Sequence, residues 1–166
     1  MKRILLFLVF AVFLFAAGCA PQGSGSAGGT PSAPSGGEGE AGGGIVGETV
    51  VFTVGGNTLT MTLAESEAAA ALVQRLEEGA VTCMADDYGG FEKVGSLGFS
   101  LPRSDERLTA EAGDVMLYRG DQLVLFYGSN TYSYTRLGRF EGYSAAELRT
   151  LLCAGQGSVP VTLRLG

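Results

Sequence analysis

Six side chains in the second half of this sequence have the residue types best suited to binding a ligand. They are Phe91, Tyr127, Tyr132, Tyr134, Arg136 and Arg139. Tyrosine rings offer flat apolar faces with a hydroxyl that can fix a peptide or a ring, and guanidinium groups can clamp a carboxylate or phosphate. We expect the tyrosines to lie in a loop that leaves a central strand and lines a groove. The alternative is that the rings cap the mouth of the fold while the arginines pair with surface acids.

A second group of polar residues could in principle bind a hard cation. Asp86 and Asp87 are adjacent and Glu92 follows closely, and carboxylate oxygens are the ligands that such cations prefer. Adjacent residues on a strand point to opposite faces, so the two aspartates would rarely share one metal. We therefore predict a solvated turn, no metal site and no cofactor. The chain contains no histidine, which excludes imidazole ligands and histidine-based acid–base catalysis.

Cys83 and Cys153 form an even pair of cysteines in the predicted folded part of the chain. In an exported domain such a pair suggests a disulfide. The alternative is two separate buried thiols that pack as small apolar groups. A catalytic thiol is disfavoured because no histidine is available to activate it.

The third cysteine, Cys19, ends an N-terminal export signal over residues 1–19. Lys2 and Arg3 precede an apolar run that is short for a membrane-spanning helix. The sequence Ala16-Ala17-Gly18-Cys19 resembles the lipobox of bacterial lipoproteins. The resemblance implies a lipid on Cys19 and attachment to the extracytoplasmic face of the cell membrane. An ordinary secretory signal, or an uncleaved anchor with an incidental cysteine, is the alternative.

Composition divides the remainder of the chain into a linker and one domain. Residues 20–44 consist mostly of glycine, serine, alanine and proline, and such a segment cannot bury enough apolar surface to offset its ordering entropy. We predict a disordered linker there and a folded domain over residues 45–166. The formal net charge of −6 argues against nucleic acid as a partner, because binding phosphates requires a basic surface.

The domain is organised around residues 113–140, which we predict to form a central hairpin of two apolar strands, an aromatic loop and a third strand. In its second strand Leu123, Leu125 and Tyr127 share one face, while Val124 and Phe126 share the other. A strand that is apolar on both faces is covered on both faces. The step Gly120-Asp121 predicts a two-residue turn between the strands.

The other elements follow from alternation, helical periodicity and capping signals. We predict an opening hairpin at 49–63, a helix at 65–78, strands at 80–86 and 88–94, an irregular crossover at 95–112, a helix at 144–152 and a last strand at 159–165. Ser144 and Glu147 form a capping box at the second helix. Pro160 suggests that the last strand lies at a sheet edge or begins there. Eight strands and two helices predict a mainly β fold, a closed or half-closed eight-stranded β-barrel with helices over its open ends.

Five short runs carry a resemblance to a known family. They are Tyr88–Lys93, Leu101-Pro102, Gly113–Val115, Leu125–Gly128 and Leu137–Arg139. In this order and spacing the chain, from about residue 50 to 165, resembles the bacterial cyclophilin-like domain family. The resemblance implies a cyclophilin-like barrel in a small exported protein, often a lipoprotein.

True cyclophilins are peptidyl-prolyl isomerases whose catalytic strand carries a Phe-His-Arg cluster, with a Gln-Gly-Gly-Asp run soon after it. The place where this cluster should fall, residues 80–101, contains no arginine, histidine or glutamine. We therefore expect a lipid-anchored module that binds a small molecule or peptide without catalysis. One alternative is a divergent prolyl isomerase that uses Arg136 or Arg139. Another is an interaction module for a further envelope protein, docking near Pro160 or through the tyrosine loop.

Overall fold

Nine strands and two helices make up residues 49–166, the part of the chain that this computed structural model describes. In chain order they are β1 (Thr49–Val54), β2 (Asn57–Leu63), α1 (Glu67–Glu77), β3 (Val81–Tyr88), β4 (Glu92–Ser96), β5 (Glu106–Ala110), β6 (Asp114–Tyr118), β7 (Gln122–Phe126), β8 (Asn130–Phe140), α2 (Ala145–Leu151) and β9 (Val159–Leu165). The predicted signal peptide, Cys19 and the predicted linker lie outside the described residues. The mainly β fold with two helices is confirmed.

Eight of the strands form a closed ring. Their order is β2-β1-β9-β3-β4-β7-β6-β8, and β8 returns to pair with β2. All of these pairings are antiparallel. Each strand of the ring therefore has a neighbour on both sides, which removes the exposed edges that invite association. The predicted closed arrangement of eight strands is confirmed.

The central hairpin, β6 and β7, is buried on both faces as its sequence predicts. Leu123, Leu125 and Tyr127 belong to the large core inside the ring. Val124 and Phe126 belong to a second, smaller core on the outer face. Burying each such side chain contributes about 1.5–3 kcal/mol.

The turn of this hairpin is one residue longer than predicted. Tyr118 pairs with Gln122, so the loop is Arg119-Gly120-Asp121. Arg119 and Gly120 both have positive φ, 55° and 88°. The predicted two-residue Gly120-Asp121 turn is therefore wrong by one position, and Arg119 takes the first left-handed position, a conformation that costs a non-glycine residue energy.

The ninth strand, β5, covers the outer core and corrects two expectations. It pairs only with the first half of β8, with Leu108 opposite Tyr132 and Glu106 opposite Tyr134. Residues 95–112 are therefore not an irregular crossover throughout, and residues 130–134 are not a loop. We call β5 together with residues 130–134 the outer ribbon. Ala110 and Tyr134 of this ribbon pack against β6 and β7.

Close backbone contact between β2 and β8 closes the ring. Gly138 lies opposite Leu63, and a Cβ atom at Gly138 would lie 2.3 Å from the carbonyl oxygen of Thr62. Just before it, Val115 pairs with Gly138 and Met116 with Arg136, so Leu137 is an extra bulged residue in β8. A bulge increases local twist, and here it lies where β8 leaves the outer ribbon and joins β2.

The second helix begins as its sequence predicts, and the first begins at Glu67, two residues later than predicted. Ser144 accepts a hydrogen bond from the Glu147 amide, and Glu147 accepts one from the Ser144 amide, which confirms the capping box. At α1, Ser66 caps the helix by accepting from the Ala69 amide at 3.1 Å. Ser66 also donates to the Arg136 carbonyl at 2.8 Å, so this cap fixes α1 to the bulged part of β8.

The last strand is not at a sheet edge. β9 lies between β1 and β3, and Pro160 is its second residue, opposite Met84. The Pro160 carbonyl accepts a hydrogen bond from the Gly55 amide at 3.1 Å. Proline is tolerated here because it stands at the beginning of the strand. Of the two predicted alternatives, the sheet edge is therefore wrong and the strand end is confirmed.

In the structure the two cysteines of the domain are separate buried thiols, which is the second of the two alternatives. Cys83 lies opposite Val161 on β9, and Val161 lies opposite Val54 on β1. Cys83 and Val54 are thus two strand spacings apart, about 9–10 Å. The Cys153 thiol packs beside the Val54 carbonyl at 4.0 Å, on the far side of β9 from Cys83. Within residues 49–166, neither helix has the length and hydropathy needed to cross a membrane.

Candidate functional site

A cavity of about 330 Å³ lies between the outer face of the ring and the outer ribbon. Strands β3, β4, β6 and β7 supply one side, and the first half of β8 supplies the other. Its lining residues are Tyr88, Glu92, Val94, Tyr118, Val124, Asn130, Tyr132 and Tyr134. We call this cavity the tyrosine pocket. Its volume lies at the lower end of the range typical of small-ligand sites.

Three tyrosine rings pack against one another in this pocket. The ring centroids of Tyr118 and Tyr132 are 5.8 Å apart, those of Tyr118 and Tyr134 are 6.1 Å apart, and those of Tyr132 and Tyr134 are 6.0 Å apart. All three contacts are edge-to-face, the geometry that the ring quadrupoles favour. Tyr134 is 4 % exposed and Tyr132 is 49 % exposed, so the cluster has an anchored ring and a ring accessible to solvent.

Glu92 is the only acid in the lining of the tyrosine pocket. It is 4 % exposed and accepts a long hydrogen bond, 3.5 Å, from the Tyr134 hydroxyl. Asn130 in turn donates to that hydroxyl at 3.0 Å. Burial disfavours the ionised carboxylate and raises the pKa of Glu92 from 4.5 to about 7, although the Tyr134 bond acts in the opposite direction. The pocket therefore contains a carboxyl group that can change charge near neutral pH.

The hydroxyl of Tyr134 responds to the same surroundings. Burial is the main cause that raises the pKa of Tyr134 to about 12, and the charge of Glu92 adds to it. Tyr134 therefore stays a neutral phenol at physiological pH and serves as a hydrogen-bond donor to Glu92. The chain from Asn130 through Tyr134 to Glu92 fixes the orientation of the carboxyl group.

The neighbouring residue, Lys93, points to the opposite face of β4 because successive strand residues alternate. Lys93 is fully buried inside the ring, and its Nζ lies 3.0 Å from Asp87 and 2.6 Å from the Gly157 carbonyl. Asp87 also accepts hydrogen bonds from the Tyr127 hydroxyl and the Gly157 amide, both at 2.9 Å. This inner network satisfies a charge that would otherwise be very costly to bury.

The inner network shifts two pKa values. Burial favours the neutral form of Asp87, but the hydrogen bonds that it accepts from Lys93, from the backbone and from Tyr127 outweigh this and lower its pKa to about 2. Burial, followed by the bond to Asp87, raises the pKa of Tyr127 to about 12. The Arg149 guanidinium lies 5.0 Å above the Tyr127 ring and so connects α2 to this end of the ring. We interpret the network as structural.

The six predicted groove residues are divided among several places. Tyr132 and Tyr134 line the tyrosine pocket, and Phe91 packs against the outer core beside it. Tyr127 lies inside the ring, because it shares a face with Leu123 and Leu125.

The two predicted arginines lie outside the tyrosine pocket. Arg136 lines a second cavity of about 280 Å³ with Glu65, Ser104 and Glu106 among its neighbours. Arg139 is bound to Asp114 and donates to the Ala112 carbonyl at 3.0 Å, so it holds the turn between β5 and β6.

Four polar or aromatic residues of the pocket were not predicted from the sequence: Tyr88, Glu92 as a pocket acid, Tyr118 and Asn130. The alternation on β4 carried a signal for Glu92, because it shares a face with Val94, opposite Phe126 and Val124 on β7. The pairing of β5 with β8, which brings the ribbon over this face, has no comparable local signal.

The three acids predicted to lie in a solvated turn lie instead on β3 and β4, and they do not converge. Asp86 is exposed, Asp87 belongs to the inner network and Glu92 faces the tyrosine pocket. Among the residues that the structure describes, no group of three potential ligands could hold a metal ion.

A family model described as the cyclophilin-like family matches residues 52–164. The match extends from β1 to β9 and thus includes the ring, the outer ribbon and the tyrosine pocket. No curated protein and no solved structure gives a significant match to the chain.

Proposed function

The chain belongs to the cyclophilin-like family, and we propose that its domain is a non-catalytic binding module for a small molecule or peptide. The ligand would lie in the tyrosine pocket. The module would be held on the extracytoplasmic face of the cell membrane by a lipid on Cys19. The membrane attachment is supported by the lipobox-like sequence that ends at Cys19.

The observation that carries the binding proposal is the composition of the pocket. Four tyrosine rings and two valines give it predominantly apolar walls, and Glu92 and Asn130 supply a few fixed polar groups. This combination of apolar surface with a small number of oriented polar atoms is typical of ligand sites. Tyr88 and Tyr132, 64 % and 49 % exposed, offer a ligand apolar surface that is still accessible.

Catalysis of prolyl isomerisation is less well supported by the same geometry. That chemistry needs a guanidinium group near the rotating amide, and no arginine is among the residues that line the tyrosine pocket. Arg139 is engaged with Asp114 and the Ala112 carbonyl. Arg136 lines the second cavity, on the other side of Tyr134.

A thermal-shift screen of the full chain against small molecules and short peptides tests the binding proposal. A compound that binds only the native state raises the melting temperature. We expect such compounds to act on the parent and on Tyr143→Ala, whose ring is 36 % exposed and outside the pocket. Tyr132→Ala should abolish the shift. Shifts that persist unchanged in Tyr132→Ala would contradict the proposal.

Two further assays separate the alternatives. A proline-peptide isomerisation assay should show no rate above background. An acceleration that disappears in Arg136→Ala would instead identify a divergent isomerase. If only a protein partner from the envelope raises the melting temperature, and no small molecule or peptide does, the domain is an interaction module. Pro160 would not be the docking edge of such a module, because β9 is paired on both sides.

A further inference from the structure

We infer that the tyrosine pocket takes the cationic end of an amine, an ammonium group that lies against the tyrosine rings with Glu92 as its counter-charge. This inference rests on the proposed function and specifies the chemistry of the ligand. The ammonium group could belong to a small free amine or to a lysine side chain of a peptide. Both sources present the same chemistry to the pocket.

The aromatic walls are the first reason. Rings of tyrosine attract cations through the negative potential of their faces, and four of the eight lining residues are tyrosines. One of them already makes such a contact within the chain, because the Arg119 guanidinium lies 5.9 Å from the centroid of Tyr118. The exposed rings of Tyr88 and Tyr132 leave room for a second, external cation.

The charge of the lining is the second reason. Glu92 is its single carboxylic acid, and no lysine or arginine is among the lining residues within the described part of the chain. Inside the ring, by contrast, Lys93 already has Asp87 as its partner. Glu92 has no cationic partner in that region of the structure and is held only by the Tyr134 hydroxyl. A bound ammonium group would supply the missing counter-charge.

The third reason is the protonation of Glu92. Burial raises its pKa to about 7, and a cation placed beside it would lower this pKa by favouring the carboxylate. Binding of a permanently charged amine should therefore strengthen as the pH rises through about 7. The titratable groups that face Glu92 across the pocket are the four tyrosines, Tyr88, Tyr118, Tyr132 and Tyr134. Two further titratable groups lie nearby: Tyr127 is close to Glu92, and Arg119 is beside Tyr118. The pKa values of Tyr127 and Tyr134, about 12, lie far above this range.

Two matched pairs of probes test the inference on the full chain. Choline and 3,3-dimethylbutan-1-ol have the same shape and differ in charge. Nα-acetyl-lysine amide and Nα-acetyl-norleucine amide differ in the same way and represent a peptide side chain. We expect each cation to bind about tenfold more tightly than its neutral partner, measured by NMR titration. A preference shown only by choline would identify a free amine as the source of the ammonium group, and one shown only by the lysine derivative would identify a lysine side chain.

Substitutions then assign the effect to Glu92. In the parent, the affinity for choline should increase about tenfold between about pH 6 and pH 8. Glu92→Gln should remove this increase, and it should also remove the preference for the cation in both pairs. Glu106→Gln is the control, because Glu106 is exposed on β5 and lines the second cavity. Tyr132→Leu, which keeps apolar volume without an aromatic ring, should weaken the cations more than their neutral partners.

Three results would overturn the inference: equal binding of the two members of both pairs, a cation preference that survives in Glu92→Gln, and no binding of any of the four probes at millimolar concentration. The proposed function fails separately. Neutral compounds that bind in the screen and lose their effect in Tyr132→Ala would leave the binding module intact while excluding a cationic ligand.

Discussion

Two adjacent residues of β4, Glu92 and Lys93, are both ionisable and both buried, yet their surroundings differ completely. Strand alternation directs Lys93 into the ring, where Asp87 and the Gly157 carbonyl satisfy it. Glu92 points outward into the tyrosine pocket with a single long hydrogen bond. A buried ionisable group that the fold satisfies fully has a structural role, and one that it leaves poorly satisfied is a candidate for binding.

The ion pair of Asp87 and Lys93 yields a prediction about stability. Asp87→Asn should destabilise the domain by about 3–5 kcal/mol, because it leaves the fully buried Lys93 without its counter-ion. Lys93→Met should cost less, since Asp87 is 20 % exposed and keeps its bonds to Tyr127 and Gly157. Urea unfolding of the full chain measures both.

The double variant provides the control for that experiment. With both charges removed, Asp87→Asn/Lys93→Met should be more stable than Asp87→Asn alone, because no ion is then left unpaired. Equal losses in the two single variants would contradict the assignment of Lys93 as the dependent partner.

Glu92 should make the domain less stable as the pH rises. Its pKa is about 7 in the folded state and 4.5 ordinarily, so the folded state binds the proton more tightly. The contribution of this protonation to the free energy of unfolding is fully present below about pH 4.5, and it is lost by the time the pH has risen past about 7. Over this window the free energy of unfolding should fall by about 3 kcal/mol on account of this group.

Glu92→Gln should remove this dependence, because glutamine has a similar shape and does not ionise. We expect the variant to match the parent at about pH 4.5 and to exceed it at about pH 8, in melting temperature and in urea midpoint. Glu106→Gln serves as the matched control on the exposed strand β5. A constant difference between variant and parent at all pH values would show that Glu92 is not held as an uncharged group.

Among the elements, β8 has the largest number of roles. Its first half forms the outer ribbon with β5, its second half pairs with β6, and its last residues close the ring on β2. The bulge at Leu137 separates the ribbon from the ring, and the Leu137 carbonyl accepts a hydrogen bond from the Ala64 amide at 2.9 Å. The pocket and the ring closure thus depend on one strand.

Ring closure can be tested at Gly138. A methyl group there would meet the Thr62 carbonyl at 2.3 Å and the Met61 side chain at 2.7 Å, so the backbones of β2 and β8 must separate. Gly138→Ala should therefore cost about 1–3 kcal/mol or more, measured by thermal unfolding. Ser133→Ala, on the same strand within the ribbon, should change the melting temperature little. A Gly138→Ala variant as stable as the parent would show that β2 and β8 do not approach this closely.

The predictability of the elements depends on how local their signals are. The capping box at Ser144 and the alternation from Val159 to Leu165 predict α2 and β9 from adjacent residues, and both are confirmed. β5 has only Leu108 and Ala110 as apolar residues on a mostly exposed strand. Its existence depends on pairing with β8, about twenty residues further along the chain, and no local pattern reports such a contact.

The candidate site was predictable to a smaller extent for the same reason. The sequence identifies Tyr132 and Tyr134 as residues suited to binding, and both line the pocket. Alternation on β7 already placed Tyr127 on the face of Leu125, which is the interior face. Which side of the ring the ribbon covers, and hence that Glu92 lies below it, follows only from the tertiary pairing of β5 with β8.

At the scale of the whole molecule, the proposed lipid at Cys19 decides where the domain acts. Cys19→Ser should abolish the lipid and release the protein from the membrane fraction or leave its signal uncleaved. Immunoblotting of membrane and soluble fractions measures this, with metabolic labelling by a fatty acid as a second readout. Cys83→Ser is the matched control, because that thiol lies within the domain. An unchanged distribution of the Cys19→Ser protein would exclude the lipid anchor.

The two ends of the described domain meet in the ring. β1 and β9 are neighbours, and the Gly166 amide donates to the Thr49 carbonyl at 3.0 Å. A short peptide joining residue 166 to residue 49 would therefore span the gap, and the chain could be reopened at the exposed turn around Gly142. Such a circular permutant should fold to the same ring with a similar melting temperature. The segment that carries Cys19 would then be attached at the start of α2 and no longer at β1.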